Sequence, residues 1–396
     1  MGNQTKFHIN NTCWGMISML TTGSVLQTFL LENGLQEDTT NVISSVMLGF
    51  QLLTILIYSN YVDRQKDVLD ANRKVYYLYF PLPVVLTLMC LLPGHTPWWL
   101  WALMLLSCAL LNIGIGFSNV LCYKFPYKIL DMRKYGNVMS VDGIISGIFC
   151  LALSSLIPVL QAALGYHSTM TVIFPSVMVI LIVAMVTCRS MKPLPDAKLP
   201  EPTPGSKVSV LKFKNFTHLI GANIMRGFTT GIMGTAVTIG YYFECLDSSS
   251  SSILVLLTYL VLILGCGLYA LVANRVKVGT IILIASICVA VLIPLMLIQI
   301  NTVTFLLFYA LAFLFKTAID YSVPVAVTKL TSYDTVGQYS SGRMLLSNIG
   351  SIFASLICIP LVKLIGGIPT LLIAGASQLI CGICYFIRLR KGSITD

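Results

Sequence analysis

Lys316 and Asp320 stand four residues apart in the stretch FLFKTAIDYSVP, residues 313–324, at the end of an almost wholly apolar run. An ammonium and a carboxylate at i and i+4 share one face of a helix and can pair. Two chemistries follow. The pair can neutralise itself as a structural ion pair, replaceable by apolar packing at little cost. Alternatively the same face offers a cation to an anionic ligand and a carboxylate to a proton.

Three other charges fall inside apolar runs: Asp142, Arg226 and Arg343. Arg226 has Asn223 and Thr230 on its helical face. Its planar fork suits bidentate recognition of a carboxylate or phosphate. It can serve a substrate or pair with a carboxylate of another helix, Asp320 being one candidate. Asn112 and Asn119, seven apart, share a face of one run, with Gly114 and Gly116 allowing close helix approach between them. Pro324 removes a backbone hydrogen bond and marks a candidate kink.

Composition says what must position these residues. The chain of 396 residues is 56% hydrophobic and 10% charged, with mean hydropathy +0.85. A soluble domain carries about 25% charged residues; this one is too poor in charge to cover a water-facing surface. About 20 apolar residues cross the hydrocarbon of a bilayer. Twelve runs qualify: 11–31, 40–61, 76–94, 98–123, 137–161, 168–188, 214–243, 251–273, 277–299, 302–326, 339–364 and 367–388. The polar start, MGNQTKFHINN, lacks a charged n-region and a cleavage site, so span 1 is expected to stay in the mature protein.

The net charge of +10 is explained by its placement. Lysine and arginine crowd the segments after spans 2, 4, 6, 8, 10 and 12. The alternate loops carry Glu32, Glu37, Asp38, Glu244 and Asp247, with Lys363 the exception. The positive-inside rule then puts both termini and the segment after span 6 in the cytoplasm. Nucleic acid is not expected as a partner. The 12 cysteines lie almost entirely in apolar spans, where Cys acts as a small hydrophobe. Cys381 and Cys384 have redox-motif spacing but no soluble domain around them. His8, His95, His167 and His218 sit at or near span ends with no ligand partners close in sequence. Neither a metal site nor a cofactor is expected.

The Pro- and charge-rich segment 192–207 is the one clear linker and divides the spans six and six. The halves repeat weakly. At a shift of 201, Lys128, Gly136, Ser146 and Ile148 fall on Lys329, Gly337, Ser347 and Ile349, and Asp142 falls on Arg343. At the same shift Asn119 falls on Asp320. At 208, Thr21-Thr22-Gly23 falls on Thr229-Thr230-Gly231, matching the Ser18–Thr22 face of span 1 to the Arg226 face of span 7. At 211, Asp63-Arg64 falls on Asn274-Arg275.

Six plus six spans, a cytoplasmic linker and parallel half-repeats resemble the major facilitator superfamily of secondary transporters. SNYVDRQKD, residues 59–67, is similar to the family's loop motif at Asp63 and Arg64, with Ser59 in place of its first Gly and Lys66-Asp67 in place of its later Gly-Arg. The resemblance implies an all-α integral membrane protein of two six-helix bundles, 1–188 and 214–396, joined by a cytoplasmic linker, 189–213. It implies alternating access about a central cavity lined by spans 1, 4, 7 and 10, with spans 2, 5, 8 and 11 flanking it between the halves and spans 3, 6, 9 and 12 facing lipid. All five intramembrane charges fall on spans the family assigns to the interior, as their cost in lipid requires.

The expected activity is secondary transport of a small polar solute, anionic or zwitterionic because two cations outnumber one carboxylate on the cavity spans, with a proton as coupling ion. Substrate and coupling candidates are Arg226, Lys316, Asp320, Asn112, Asn119, Ser18, Thr22, Asn223 and Thr230. Gating candidates are Asp142 with Arg343, and Asp63, Arg64 and Arg275. A monomer in the plasma membrane is expected. A sugar symporter or drug/proton antiporter of the same fold remains open; Tyr241, Tyr242 and Phe243 could stack on a sugar. No HExxH, GxSxG or Asp-rich diphosphate motif points to an enzyme, and no phosphate-cradling loop points to direct use of ATP. An integral membrane enzyme and a transporter-derived receptor stand as alternatives of another class.

Overall fold

The computed structural model describes residues 2–62, 68–92, 97–121, 125–130, 135–194, 214–273, 275–330 and 336–390. Every regular element among them is helical. Six long helical segments precede the linker: α1 (Asn3–Thr21 and Gly23–Glu32), α2 (Glu37–Val62), α3 (Val68–Val75, Tyr76–Leu78 and Pro81–Leu91), α4 (Trp98–Leu121), α5 (Tyr135–Leu164) and α6 (Tyr166–Ser190). Six follow it: α7 (Lys214–Gly234 and Ala236–Tyr242), α8 (Ser248–Ala273), α9 (Val278–Leu295), α10 (Thr302–Leu330), α11 (Val336–Ile365) and α12 (Gly367–Arg390). Among the described residues 11 of these are long and apolar enough to cross a membrane. The twelfth, α7, is the one that carries Asn223, Arg226, Thr229 and Thr230. α10 continues past Pro324 to Leu330.

Helix ends reproduce the repeat. α5 and α11 each run 30 residues with both ends offset by 201, and α2 and α8 each run 26 residues with both ends offset by 211. Packing repeats as well. A Cβ on Gly116 of α4 would lie 2.7 Å from the Thr54 Cβ of α2, and one on Gly265 of α8 would lie 2.9 Å from the Thr317 Cβ of α10. Thr54 and Gly265 are 211 apart, and Gly116 and Thr317 are 201 apart. One crossing is thus built twice, with the small and the branched partner exchanged.

The first and seventh helices correct the register read from the sequence. α1 meets α5 where a Cβ on Gly15 would lie 2.5 Å from Ser146 Oγ; α7 meets α11 where a Cβ on Gly227 would lie 1.9 Å from the Ser347 carbonyl oxygen. Ser146 and Ser347 are 201 apart, while Gly15 and Gly227 are 212 apart. The offset between α1 and α7 is therefore 212, not 208. A slip of four residues is about one helical turn, which keeps every residue on its face. Sequence similarity alone could not detect it. The counterpart of Arg226 becomes Trp14, and Ser18 matches Thr230.

Two compact units result: Met1–Leu26 with Met47–Gly205, and Gln27–Val46 with Ser206–Asp396. In the first, α1 packs on α5 and α6, and α3 packs on α4 and α6; in the second, α7 packs on α11 and α12, and α9 packs on α10 and α12. The hairpin Gln27–Val46, within the first bundle by sequence, clusters with the second unit. There Asn41 Oδ1 accepts from Thr238 Oγ1 at 2.9 Å, the Gly234 carbonyl accepts from Gln27 Nε2 at 3.1 Å, and Glu32 accepts from the Tyr241 hydroxyl at 2.9 Å. Lys363, the exceptional cation of the acidic loops, pairs with Asp38 of this hairpin.

α1 is broken at Thr22, four residues before the units divide. Thr22 is extended and Gly23 takes φ +57°, a conformation in which a Cβ would be strained. α7 breaks at Thr235. Discontinuous helices expose backbone groups and are tolerated in membranes only where protein or a cavity satisfies them. Thr22 does so locally, its N–H and hydroxyl both donating to the Ser18 carbonyl.

Candidate functional site

Arg226 on α7 and Lys316 and Asp320 on α10 converge in the second unit. One carboxylate oxygen, Asp320 Oδ1, accepts from Arg226 Nη2 at 2.5 Å; the other, Oδ2, accepts from Lys316 Nζ at 2.6 Å. The i, i+4 spacing accounts for the second contact. The first joins residues 94 apart and depends on the α7–α10 approach. The two cations keep only 14% and 13% of their side-chain surface exposed, against 32% for the carboxylate. Lys316 Nζ also sits 5.6 Å from the centre of the Phe313 ring, within cation–π range. Burying three charges is tolerable because each is hydrogen-bonded to an opposite one. With Asp320 ionised the cluster keeps one net positive charge. Among the described residues Arg226 Nε has no acceptor.

The other substrate candidates are disposed differently. Asn223 is fully buried and occupied, its amide donating to the Leu219 carbonyl at 2.8 Å and its oxygen accepting from the Tyr385 hydroxyl at 3.0 Å. Thr230 is half-buried one turn beyond Arg226. In the first unit, Ser18 and Thr22 lie at the break of α1, with hydroxyl oxygens 3.4 Å apart. Asn112 is buried and donates to the Cys108 carbonyl, and Asn119 is half-buried on α4.

Among the gating candidates, Asp142 and Arg343 are both buried, in different units. Each is the eighth residue of its helix, past the first turn, so a simple helix-end role for Asp142 does not hold. Asp142 instead accepts from Asn11 Nδ2 at 2.9 Å and lies 3.0 Å from His8 Nδ1. Sequence reading missed both partners. His8 and Asn11 are remote in the chain, and the 208 register hid the alignment of Asn11 with Asn223, which 212 restores. Arg275 is exposed after α8; Asp63 and Arg64 lie outside the described residues. Tyr241 and Phe243, considered for stacking on a sugar, have structural contacts: Tyr241 with Glu32, and Phe243 against Gly367. Among the described residues no group of histidines, cysteines and carboxylates is arranged to hold a metal ion.

Comparison with known proteins gives one kind of match. No family model matches the sequence, and no curated protein matches it. The structure is similar to that of a D-xylose–proton symporter, with a TM-score of 0.73 over 97% of this chain and 96% of the other at 12% identity. The chain has the major facilitator fold. The paired crossings α2–α4 and α8–α10, and α1–α5 and α7–α11, are the internal repeat of that fold written in this chain's own residues. In a major facilitator fold the Arg226–Asp320–Lys316 cluster joins the first helix and the fourth helix of the second half.

Proposed function

We propose that the protein is a secondary active transporter that moves a small anionic or zwitterionic solute by alternating access, coupled to protons. The observation that carries this reading is the division of Asp320 between Arg226 and Lys316, one oxygen to each cation. While Asp320 is ionised it occupies both donors. A proton on Asp320 turns an acceptor into a neutral acid and frees two cations together. An anion with two oxygens, such as a carboxylate, then takes its place on the same donors. Proton and solute therefore bind with positive coupling, and each raises the affinity of the other equally. Arg226, Lys316 and Asp320 carry the reading. Thr230, Ser18, Thr22, Asn112, Asn119 and Asn223 shape and support the polar surroundings of a solute.

Opening is proposed to involve Asp142 with Arg343, and Asp63 and Arg64 with Arg275. On this reading Arg343 competes with His8 and Asn11 for the Asp142 carboxylate. A double-mutant cycle of Asp142→Asn and Arg343→Gln on transport rate tests this; additive effects remove the gate. The charge distribution supports both termini in the cytoplasm, and the proposal includes a monomer in the plasma membrane.

The sugar specificity in the name of the structural relative favours a second reading, a neutral sugar carried with a proton. Purified protein in liposomes separates the two. Proton-driven accumulation is measured for monocarboxylates, amino acids, inorganic phosphate and neutral sugars. Uptake of an anionic or zwitterionic member that disappears in Arg226→Gln supports the proposal. Selective uptake of neutral sugars that survives Arg226→Gln overturns it.

A further inference from the structure

Asp142, a buried carboxylate of the first unit, has an arrangement of its own. α1 turns one face to α5 through His8, Asn11 and Gly15, spaced three and four residues apart. α5 answers with Asp142 and Ser146, again four apart. Gly15 lets the helices close on Ser146, which brings the two preceding turns of α1 against Asp142. One carboxylate oxygen accepts from Asn11 Nδ2 at 2.9 Å, and the other lies 3.0 Å from His8 Nδ1. Its side chain is 9% exposed and that of His8 is 11% exposed.

Among the described residues His8 is the only ionisable partner of Asp142. The neighbouring charged and titratable groups are engaged elsewhere. Lys6 of α1 donates to the Ser190 carbonyl of α6 at 2.5 Å, and Arg189 of α6 donates to the Tyr77 hydroxyl. Arg73 of α3 donates to the Arg189 and Met191 carbonyls, and the Tyr76 hydroxyl donates to Asn10. Lys128, on the short helix Phe125–Ile129 before α5, is half-buried and is not a partner of Asp142.

This leaves two neutral ways to fill the pair and one charged way. An imidazolium with a carboxylate is neutral overall, and so is an imidazole with a carboxylic acid. Both hold one proton. Without it the pair is a buried anion that keeps hydrogen bonds from Asn11 and from the Nδ1–H tautomer of His8 but has no positive partner, a state that burial disfavours. An imidazole–carboxylate couple is also the side-chain pair suited to exchanging a proton near neutral pH. We propose that His8 and Asp142 form a proton-binding site in the first unit, separate from Asp320, in which one shared proton locks α1 to α5. Losing the proton loosens that crossing. On the gating reading above, which this consequence alone uses, it also frees Asp142 for Arg343.

The chain has four histidines, so a histidine spectrum of the full-length protein in nanodiscs is simple to assign. His8→Gln identifies the His8 signals by their loss. The expected result is that the His8 titration between pH 5 and 9 changes when Asp142 becomes Asn, while that of His167 does not. The melting temperature supplies the second measurement, needed where Asp142→Asn yields no folded protein. It should fall as the pH rises through the His8 transition in the parent. That slope should vanish in His8→Gln, whose amide can still donate to the carboxylate. A His8 titration identical in the parent and Asp142→Asn overturns the site. So does a melting-temperature slope unchanged by His8→Gln. Both tests are independent of any solute, so their failure leaves the transport reading standing, and failure of that reading leaves the site standing.

Discussion

The two units place different chemistry on equivalent turns. In the second, Arg226, Lys316 and Asp320 make an ionic cluster between α7 and α10. In the first, the corresponding positions are Trp14 at an offset of 212 and Ile115 and Asn119 at 201. Trp14 there packs on Tyr79 with ring centres 4.7 Å apart, and the Tyr79 hydroxyl lies 2.7 Å from Ser118 Oγ. The repeat therefore preserves helix crossings and exchanges the groups they carry: an aromatic, neutral surface in one unit and a cationic one in the other. Crossings depend on where small residues let backbones approach. Charge depends on single side chains that a crossing does not constrain. The first unit has a carboxylate too, but on α5, where His8 and Asn11 satisfy it within the unit.

The sharpest way to break this comparison is Asp320→Leu against Asn119→Leu. Removing Asp320 strands two buried cations side by side and should cost about 3–5 kcal/mol. Removing Asn119 should cost about 1 kcal/mol, the worth of an ordinary hydrogen bond. Thermal melts of the two proteins measure the difference; equal losses would mean that the charges in the second unit bear no more structural weight than the neutral groups in the first.

A smaller effect on folding is expected from Lys316→Met, because the Arg226–Asp320 pair that remains is neutral. Solute affinity should fall about ten- to a hundredfold, the equivalent of about 1.5–3 kcal/mol for a lost charge-assisted contact. Lys316→Met with Asp320→Leu should not restore stability, since Arg226 loses the carboxylate it pairs with. The triple change adding Arg226→Met should restore it and abolish binding of the anion. A triple variant that still binds would show that the cluster holds helices together and does not read the solute.

The smallest effect is expected at the N-terminal end of α8. Asp247 accepts from the Ser250 N–H at 2.7 Å and from its hydroxyl at 2.6 Å, while its own N–H donates back to Ser250 Oγ at 2.8 Å. These bonds hold the Asp247 carboxyl below the usual carboxylate range, the Ser250 hydroxyl contributing most. A lowered folded value means that the stabilisation is present above the unfolded pKa of about 3.9 and is lost as pH falls through the folded one. Asp247→Ala should cost about 1 kcal/mol at neutral pH and lose that acid dependence, measured as melting temperature against pH. An unchanged melting temperature at neutral pH would show that this cap, which lies outside the repeat of ionic and aromatic surfaces, carries no measurable weight.

Much of the fold was legible in residue order. Apolar runs marked the spans because a bilayer demands about 20 such residues. The offsets of 201 and 211 reappear in helix ends and in the Thr54–Gly116 and Gly265–Thr317 crossings. The 208 offset did not survive, since a one-turn slip leaves the pattern of faces intact. Nor did the sequence assign residues 27–46 to the second unit, because hydropathy records which residues avoid water and not which neighbours they choose.

Helix geometry is local, so the sequence alone determined that Lys316 and Asp320 share a face and meet. It also determined that five charges lie within apolar helices, which burial in lipid makes costly enough to be informative. Only the tertiary structure decided that Arg226 takes the other oxygen of Asp320, that Trp14 stands where Arg226 has its counterpart, and that His8 and Asn11 hold Asp142. Those contacts join residues 94 to 134 positions apart. The Asp142 contacts follow from where Gly15 and Ser146 let α1 and α5 close, and a helix can shift by one turn without altering its own pattern of faces.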